Sequence, residues 1–253
     1  MKQKLSYSIK GKGIPIVFIH GYLENRNVWK IFLSQFKDYQ HIYVDLPGCG
    51  DSPALEQPTI ENMGNAVYIL LKQLNVSSYF LVGHSMGGYV AIDIAEKHFK
   101  EVKGLVLLHS HPFADNNEKR ENRMKEIAIV KNGKKDILIK SFVPKLHSPN
   151  YTDESVLKFY HQMALSTTAE GMIACLQAMA MRPDKSIWLQ QTSIPVLWMY
   201  GKNDTLFNFE LAENFKVKAS TTKVLLQNSA HIGMYEETEK VVSLLELFFS
   251  KYK

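Results

Sequence analysis

The chain is 253 residues long, with 45% hydrophobic and 22% charged residues, ordinary values for a globular protein large enough to bury a substantial core. Its net charge of +5 comes from 30 basic and 25 acidic residues scattered along the chain, a weak basis for nucleic-acid or membrane binding. Cys49 and Cys175 are the only cysteines, too few and too far apart for a disulfide framework or a thiolate zinc site, and are expected as free thiols in a reducing compartment.

The opening "MKQKLSYSIKGKG" carries lysines but no apolar core of signal-peptide length, and no window is long and apolar enough to span a bilayer, so a cytoplasmic protein is expected. Within this stretch "KLSYSIKG" reads as a strand, and "GKG" at Gly11 to Gly13, which lacks the P-loop pattern, as a hairpin turn. Short apolar runs ending in turn residues then recur: "PIVFIHG", "HIYVDLPG", "YFLVGHS", "VKGLVLLHS", "PVLWMYG" and "TKVLLQNS". Their near-continuous Val, Ile, Leu and Tyr content suits strands buried on both faces of a parallel sheet. Between most of them lie helix-length segments, Thr59 to Leu74, Met86 to Phe99 and Phe209 to Lys218. Strand alternating with helix predicts an α/β fold with right-handed crossovers.

The alternation breaks between Ser110 and Ile187, where helical patterns follow one another without a strand. In "TDESVLKFYHQMALS", Val156, Phe159, Tyr160, Met163 and Ala164 share one face, with Thr152 or Asp153 placed as N-cap. "TAEGMIACLQAMAM" repeats Met172, Leu176 and Met179 on one side. The segment is expected to be a helical insertion of about four helices, loosely bounded by Pro112 and Pro183.

In an open parallel sheet, reactive groups gather beyond the carboxyl ends of the strands. Four turns fall at such ends: "HGYLEN" from His20, "GHSMGG" from Gly83, "GKND" from Gly201 and "SAHIGMYEE" from Ser229. The second contains G-x-S-x-G around Ser85, which should arise by chance in roughly one chain of this length in ten and alone decides little.

Together these residues resemble the α/β-hydrolase family over nearly the whole chain. That family's G-x-S-x-G turn is a sharp strand-to-helix elbow. Gly83 and Gly87 suit it, because strand and helix pass too close there for side chains. The order Ser85, Asp204, His231 matches the family's Ser…Asp…His, each residue after its own strand, which is far more specific than the elbow motif. The resemblance implies a mostly parallel twisted sheet flanked by helices. Its core would be 1–111 and 188–253, with 112–187 an all-helical cap. About seven strands are expected rather than eight, since one strand instead of two precedes "PIVFIHG".

The roles follow residue by residue. Ser85 would attack an acyl carbon, His231 would take and return the proton, and Asp204 would orient the imidazole and stabilise its charged form. The oxyanion would bind the backbone N–H of Met86, at a helix N-terminus, and by resemblance to the family's His-Gly-x turn the backbone N–H of Tyr22. The implied activity is a cofactor-free serine hydrolase of the carboxylesterase kind, acting on a small-molecule ester with a small to medium apolar acyl group. A carbon–carbon bond hydrolase, lactonase, thioesterase or amidase would share the machinery, while dehalogenases and epoxide hydrolases use an aspartate in place of Ser85. A ligand-binding receptor on the same fold is the non-enzyme alternative.

Other residues have competing readings. Asp45, in "DLPGCGDS", is expected to fix a loop rather than do chemistry, and Asp115 is the alternative to Asp204. His84 is expected to pack beside the sheet, and His109 and His111 to be structural more than pocket-lining. His41, His98, His147 and His161 have no metal-ligand spacing, so no metal is expected. Phe142, Phe159, Met163 and Met179 are expected mostly as the insertion's own core, those facing the sheet roofing an acyl pocket.

Overall fold

The structure is a computed structural model that describes residues 4–253; Met1 to Gln3, the start of the lysine-bearing N-terminal segment, lie outside it. Among the described residues seven strands form one sheet: β1 (Tyr7–Lys10), β2 (Ile14–Ile19), β3 (Tyr39–Val44), β4 (Tyr79–His84), β5 (Val102–Leu108), β6 (Val196–Gly201) and β7 (Thr221–Leu226). Their order is β1-β3-β2-β4-β5-β6-β7, every neighbouring pair parallel except β1 with β3. The central strands β4 and β6 are buried along their whole length, as unbroken apolar runs require, whereas β1 at one edge is mostly exposed.

The hairpin expected at Gly11–Gly13 is a correction. β1 pairs with β3 and not with β2, so the turn crosses over the start of β3. A side chain at Gly11 would meet the Tyr39 carbonyl oxygen at 2.5 Å, and one at Gly13 the Asp38 carbonyl oxygen at 2.2 Å. Both glycines have positive φ, +76° and +110°, which glycine adopts without steric cost.

Helices α1 (Ile60–Gln73), α2 (Met86–Lys97), α8 (Phe209–Asn214), α9 (Gly233–Glu236) and α10 (Thr238–Lys251) flank the sheet, each close to a helix-length segment of the sequence or, for the last two, beyond β7. Thr59 caps α1 by accepting the Asn62 amide hydrogen, and Ile60, Met63, Val67, Leu70 and Leu71 bury one face of it.

Between β5 and β6 the chain is helical only: α3 (Asn117–Lys131), α4 (Lys135–Phe142), α5 (Glu154–Ser166), α6 (Ala169–Met181) and α7 (Ser186–Gln191). Asp153, rather than Thr152, caps α5 through the amides of Ser155 and Val156. α6 docks on the loop after β3 with no room to spare, since a Cβ on Gly171 would lie 1.9 Å from the Gly48 carbonyl oxygen. Beside this contact the Cys49 and Cys175 sulfurs, 126 residues apart in sequence, sit 3.5 Å apart as buried free thiols. No helix among the described residues is long and apolar enough to cross a membrane.

Candidate active site

Parallel register aligns the carboxyl ends of β2, β4, β5, β6 and β7 on one rim, and each end delivers a polar residue there: His20, Ser85, His109, Asp204 and His231. Ser85 has φ 50° and ψ −118°, a conformation unfavourable for a side-chain-bearing residue and imposed by the turn from β4 into α2. That turn is possible because Gly83 and Gly87 have no side chains: a Cβ on Gly87 would lie 2.1 Å from the Ile19 carbonyl oxygen, and one on Gly83 2.5 Å from the Gly87 carbonyl oxygen.

Ser85 Oγ is 2.8 Å from His231 Nε2, and His231 Nδ1 is 2.7 Å from Asp204 Oδ2. The other Asp204 oxygen, Oδ1, accepts the amide hydrogens of Leu206 and Phe207 at 2.8 and 3.1 Å, so the carboxylate cannot rotate away. Burial works against its charge, but His231 and His109 outweigh that and hold the carboxyl well below its ordinary range. An ionised Asp204 keeps the proton on His231 Nδ1, leaving the Nε2 lone pair to face the serine hydroxyl. This arrangement can draw a proton from Ser85 Oγ as the oxygen attacks an electrophilic carbon.

His109 is built into the same network. Its Nε2 accepts the Gly233 amide hydrogen at 3.0 Å, so its proton sits on Nδ1, 3.7 Å from Asp204 Oδ2. His109, Asp204 and His231 are the one group among the described residues whose ligand atoms could converge on a cation. Here Gly233 occupies one imidazole Nε2 and Ser85 the other, and the inward nitrogens address Asp204.

Burial pushes the His109 imidazole down to about 4. Above pH 6.5 the ring is neutral in both folded and unfolded chains, and below it only the unfolded chain gains the proton, so stability falls until about pH 4. A shift from 6.5 to about 4 corresponds to about 3 kcal/mol at 1.36 kcal/mol per unit. His111, also held neutral by burial, adds to the slope. Urea melts at pH 7 and pH 4.5 should show this loss, and His109→Asn should be measurably flatter between them. Equal slopes would assign the acid sensitivity elsewhere.

The turn after β2 lies against the serine elbow, a Cβ on Gly21 falling 3.1 Å from Ser85 Cβ. His20 shapes this turn: its Nδ1 donates to the Gly21 carbonyl at 2.8 Å and its Nε2 accepts the Leu46 amide hydrogen at 3.0 Å. Met86 is the first residue of α2, so its amide belongs to the helix N-terminus, which favours negative charge.

Ser85 and His231 open into a cavity of about 240 Å³. Tyr22, Phe142, Met179, Leu206 and Phe207 supply its apolar lining, while Lys119, Asn122, Arg123, Glu126 and Lys145 supply a polar wall. Of the four insertion side chains named from sequence, Phe142 and Met179 reach this lining; Met163 is buried elsewhere, and Phe159 lies against Tyr160 and Tyr235. The polar wall had no signature in the sequence beyond the low apolar content of α3, where only Ile127 and Val130 are buried.

Asp115 is bound to Arg182 at 2.7 Å and Arg123 at 2.5 Å and is not bonded to His231. Asp45 pairs with Arg26 and accepts the Arg26 and Asp51 amide hydrogens at 2.7 and 3.0 Å, the loop-fixing task expected of it. His84 is buried but does more than pack: it is bonded to Glu24, a residue no motif had singled out.

A seven-stranded sheet with a strained serine elbow after β4, an acid after β6 and an imidazole after β7 defines the α/β-hydrolase fold. The chain has the α/β-hydrolase fold: residues 14–128 match the family described as alpha/beta hydrolase fold, and solved structures of that fold superpose on nearly all of it. A thermophilic esterase from Thermogutta terrifontis, solved with malate bound, has 27% identity and a TM-score of 0.93, covering 98% of this chain and 93% of that one. The enol-lactonase of Burkholderia xenovorans LB400, at 21% identity and a TM-score of 0.88, covers 98% and 97% and shows the same fold. Among curated relatives, a 2-succinyl-6-hydroxy-2,4-cyclohexadiene-1-carboxylate synthase of Klebsiella pneumoniae is 27% identical over 201 residues, 77% of this chain and 80% of that one. These likenesses support an enzyme with the α/β-hydrolase fold.

Proposed function

We propose that this enzyme cleaves carboxylic esters of small to medium acyl groups through an acyl-enzyme on Ser85. The observation that carries the reading is the chain of contacts from Ser85 Oγ through His231 to the ionised Asp204, at 2.8 and 2.7 Å, opening into a cavity. As Ser85 Oγ bonds to the carbonyl carbon, its proton passes to His231 Nε2, and the carbonyl oxygen takes the negative charge. The backbone N–H groups of Tyr22 and Met86 stabilise that charge, each such donor being worth about 3 to 4 kcal/mol of barrier. Collapse breaks the bond to the alcohol oxygen, which leaves with the proton from His231. Water then attacks the acyl carbon, giving its proton to His231, and the acid departs as Ser85 recovers its hydrogen. Helices α3–α6, within 112–187, act as a cap that closes the acyl pocket over the core formed by 1–111 and 188–253.

A second reading draws on the polar wall. Lys119, Arg123 and Lys145 suit a substrate bearing a carboxylate, and the synthase relatives are named for a compound with a carboxylate and a succinyl group. p-Nitrophenyl butyrate and p-nitrophenyl hemisuccinate separate the two. The first reading expects turnover of both with comparable kcat/KM, a fluorophosphonate adduct on Ser85, and no turnover by Ser85→Ala. A strong preference for the hemisuccinate supports the second. A folded protein that neither turns over nor labels overturns the hydrolase reading.

A further inference from the structure

His84 directly precedes Ser85, and its imidazole is 1% exposed; Glu24, on the turn after β2, is 2% exposed. His84 Nδ1 lies 2.9 Å from Glu24 Oε2, and His84 Nε2 lies 2.8 Å from the carbonyl oxygen of His231. The same Glu24 Oε2 accepts the Gly21 amide hydrogen at 2.6 Å. One carboxylate oxygen and one ring therefore tie together the base's backbone, the residue before the nucleophile and the residue before Tyr22.

The partners fix the protonation. A carbonyl oxygen has no proton to give, and an ionised carboxylate has none either, so a neutral imidazole would turn a lone pair on one of them at under 3 Å. An imidazolium donates to both, and its charge is balanced by Glu24 inside the protein, where an unpaired charge would be strongly disfavoured. Burial opposes both charges, but their mutual attraction raises the His84 imidazole above its ordinary range and lowers the Glu24 carboxyl below its own. Other titratable groups facing His84 are His20 after β2, His109 after β5, Asp204 after β6 and His231 itself.

We propose that Glu24 and His84 are positioning residues, a buried charged clamp that holds the His231 backbone and the Gly21–Tyr22 turn in fixed relation to Ser85. The inference rests on the reading of Ser85 and His231 as nucleophile and base. Its physical content is that the clamp sets alignment: a small displacement of His231 lengthens the bond to Ser85 Oγ, and a rotation of the Gly21–Tyr22 peptide turns the Tyr22 amide away from the developing oxyanion. Misplacement of about 1 Å in such a constellation can cost about 100-fold in rate.

Glu24→Gln is the informative change. A carboxylate oxygen accepts from two donors at once with a charge to match; an amide offers either a neutral oxygen, leaving His84 with an unbalanced charge, or an N–H that clashes with the Gly21 amide hydrogen. The expected result is kcat for a p-nitrophenyl ester lowered about 10- to 100-fold with KM changed less than about threefold. Glu24→Gln/His84→Gln is expected to lose no more than the worse single variant, because the two act as one unit. Nitrogen-15 NMR of the wild-type histidine rings gives a readout that needs neither variant nor substrate: at pH 8 His84 should show both ring nitrogens protonated, while His109 shows one. Wild-type kcat in a folded Glu24→Gln, or a His84 ring with one protonated nitrogen in the wild type, would overturn the clamp. A wild type that hydrolyses no ester yet shows the His84 imidazolium would instead overturn the hydrolase reading and leave the charged pair standing.

Discussion

Asp204→Asn is expected to lower kcat by about four orders of magnitude while leaving the protein folded, the scale seen when the acid of such a triad loses its charge. The reason lies in which atoms face which. Asp204 Oδ1 is committed to the Leu206 and Phe207 amides, so an asparagine keeps its oxygen there and turns its NH2 toward His231 Nδ1. The imidazole then has to accept at Nδ1 and carry its proton on Nε2, facing Ser85 Oγ with a hydrogen instead of a lone pair. The hydroxyl loses its base through a change of tautomer, with no side chain displaced. Asp115→Asn makes the comparison, since Asp115 is bound to Arg123 and Arg182 away from the imidazole and should affect stability more than kcat. Steady-state kinetics of the two variants on one p-nitrophenyl ester decides between the acids. Near-normal turnover by Asp204→Asn would move the acid's role to another residue.

Much of this site was legible in the sequence because its parts are fixed by local rules. Four of the apolar runs end in turns that carry candidate residues, and a parallel sheet sends all such ends to one rim. Ser85, Asp204 and His231 could therefore be named from three separate turns, and the insertion from the loss of strand runs after β5. What stayed hidden depends on strand order and on side chains meeting across the sheet. Nothing in "GKG" tells that β3 lies between β1 and β2, because β3 comes 26 residues later than the turn's last glycine. Glu24 and His84 are 60 residues apart and share no spacing rule, yet their strands are neighbours, and a carboxylate in the turn "HGYLEN" was the one available signal. The polar wall of the cavity was hidden for the opposite reason: α3 looks like a solvated helix because most of it is one, and only its contact with the cavity gives Lys119 and Arg123 meaning. Cys49 and Cys175 show the same limit, their sulfurs touching only because α6 folds back onto the loop after β3.

Gly87→Ala is expected to abolish folding or to lower the melting temperature by well over 10 °C, although it adds one methyl group to a helix, where alanine is otherwise preferred by about 1 kcal/mol. The new Cβ would sit 2.1 Å from the Ile19 carbonyl oxygen and 2.5 Å from that of His20, both backbone atoms of the interior strand β2 and the turn after it. No rotamer change relieves such a clash, so β2 and α2 must separate along a seam where residues are close-packed. A penalty of even 4 kcal/mol is a large part of the about 5 to 15 kcal/mol that holds a domain folded. Gly133→Ala sharpens the comparison: Gly133 has φ +74° but nothing within 4 Å of its Cβ position, so it isolates the cost of left-handed backbone, about 1 to 2 kcal/mol. Thermal melts of the two variants would separate collision from conformational strain. If Gly87→Ala melted no lower than Gly133→Ala, the close approach of β2 and α2 would not be what requires glycine two residues after Ser85, and the second glycine of G-x-S-x-G would need another explanation. The expected order makes that glycine a packing requirement of the elbow, set by the same contact that presses the turn after β2, with its Gly21 and Tyr22 amides, against Ser85.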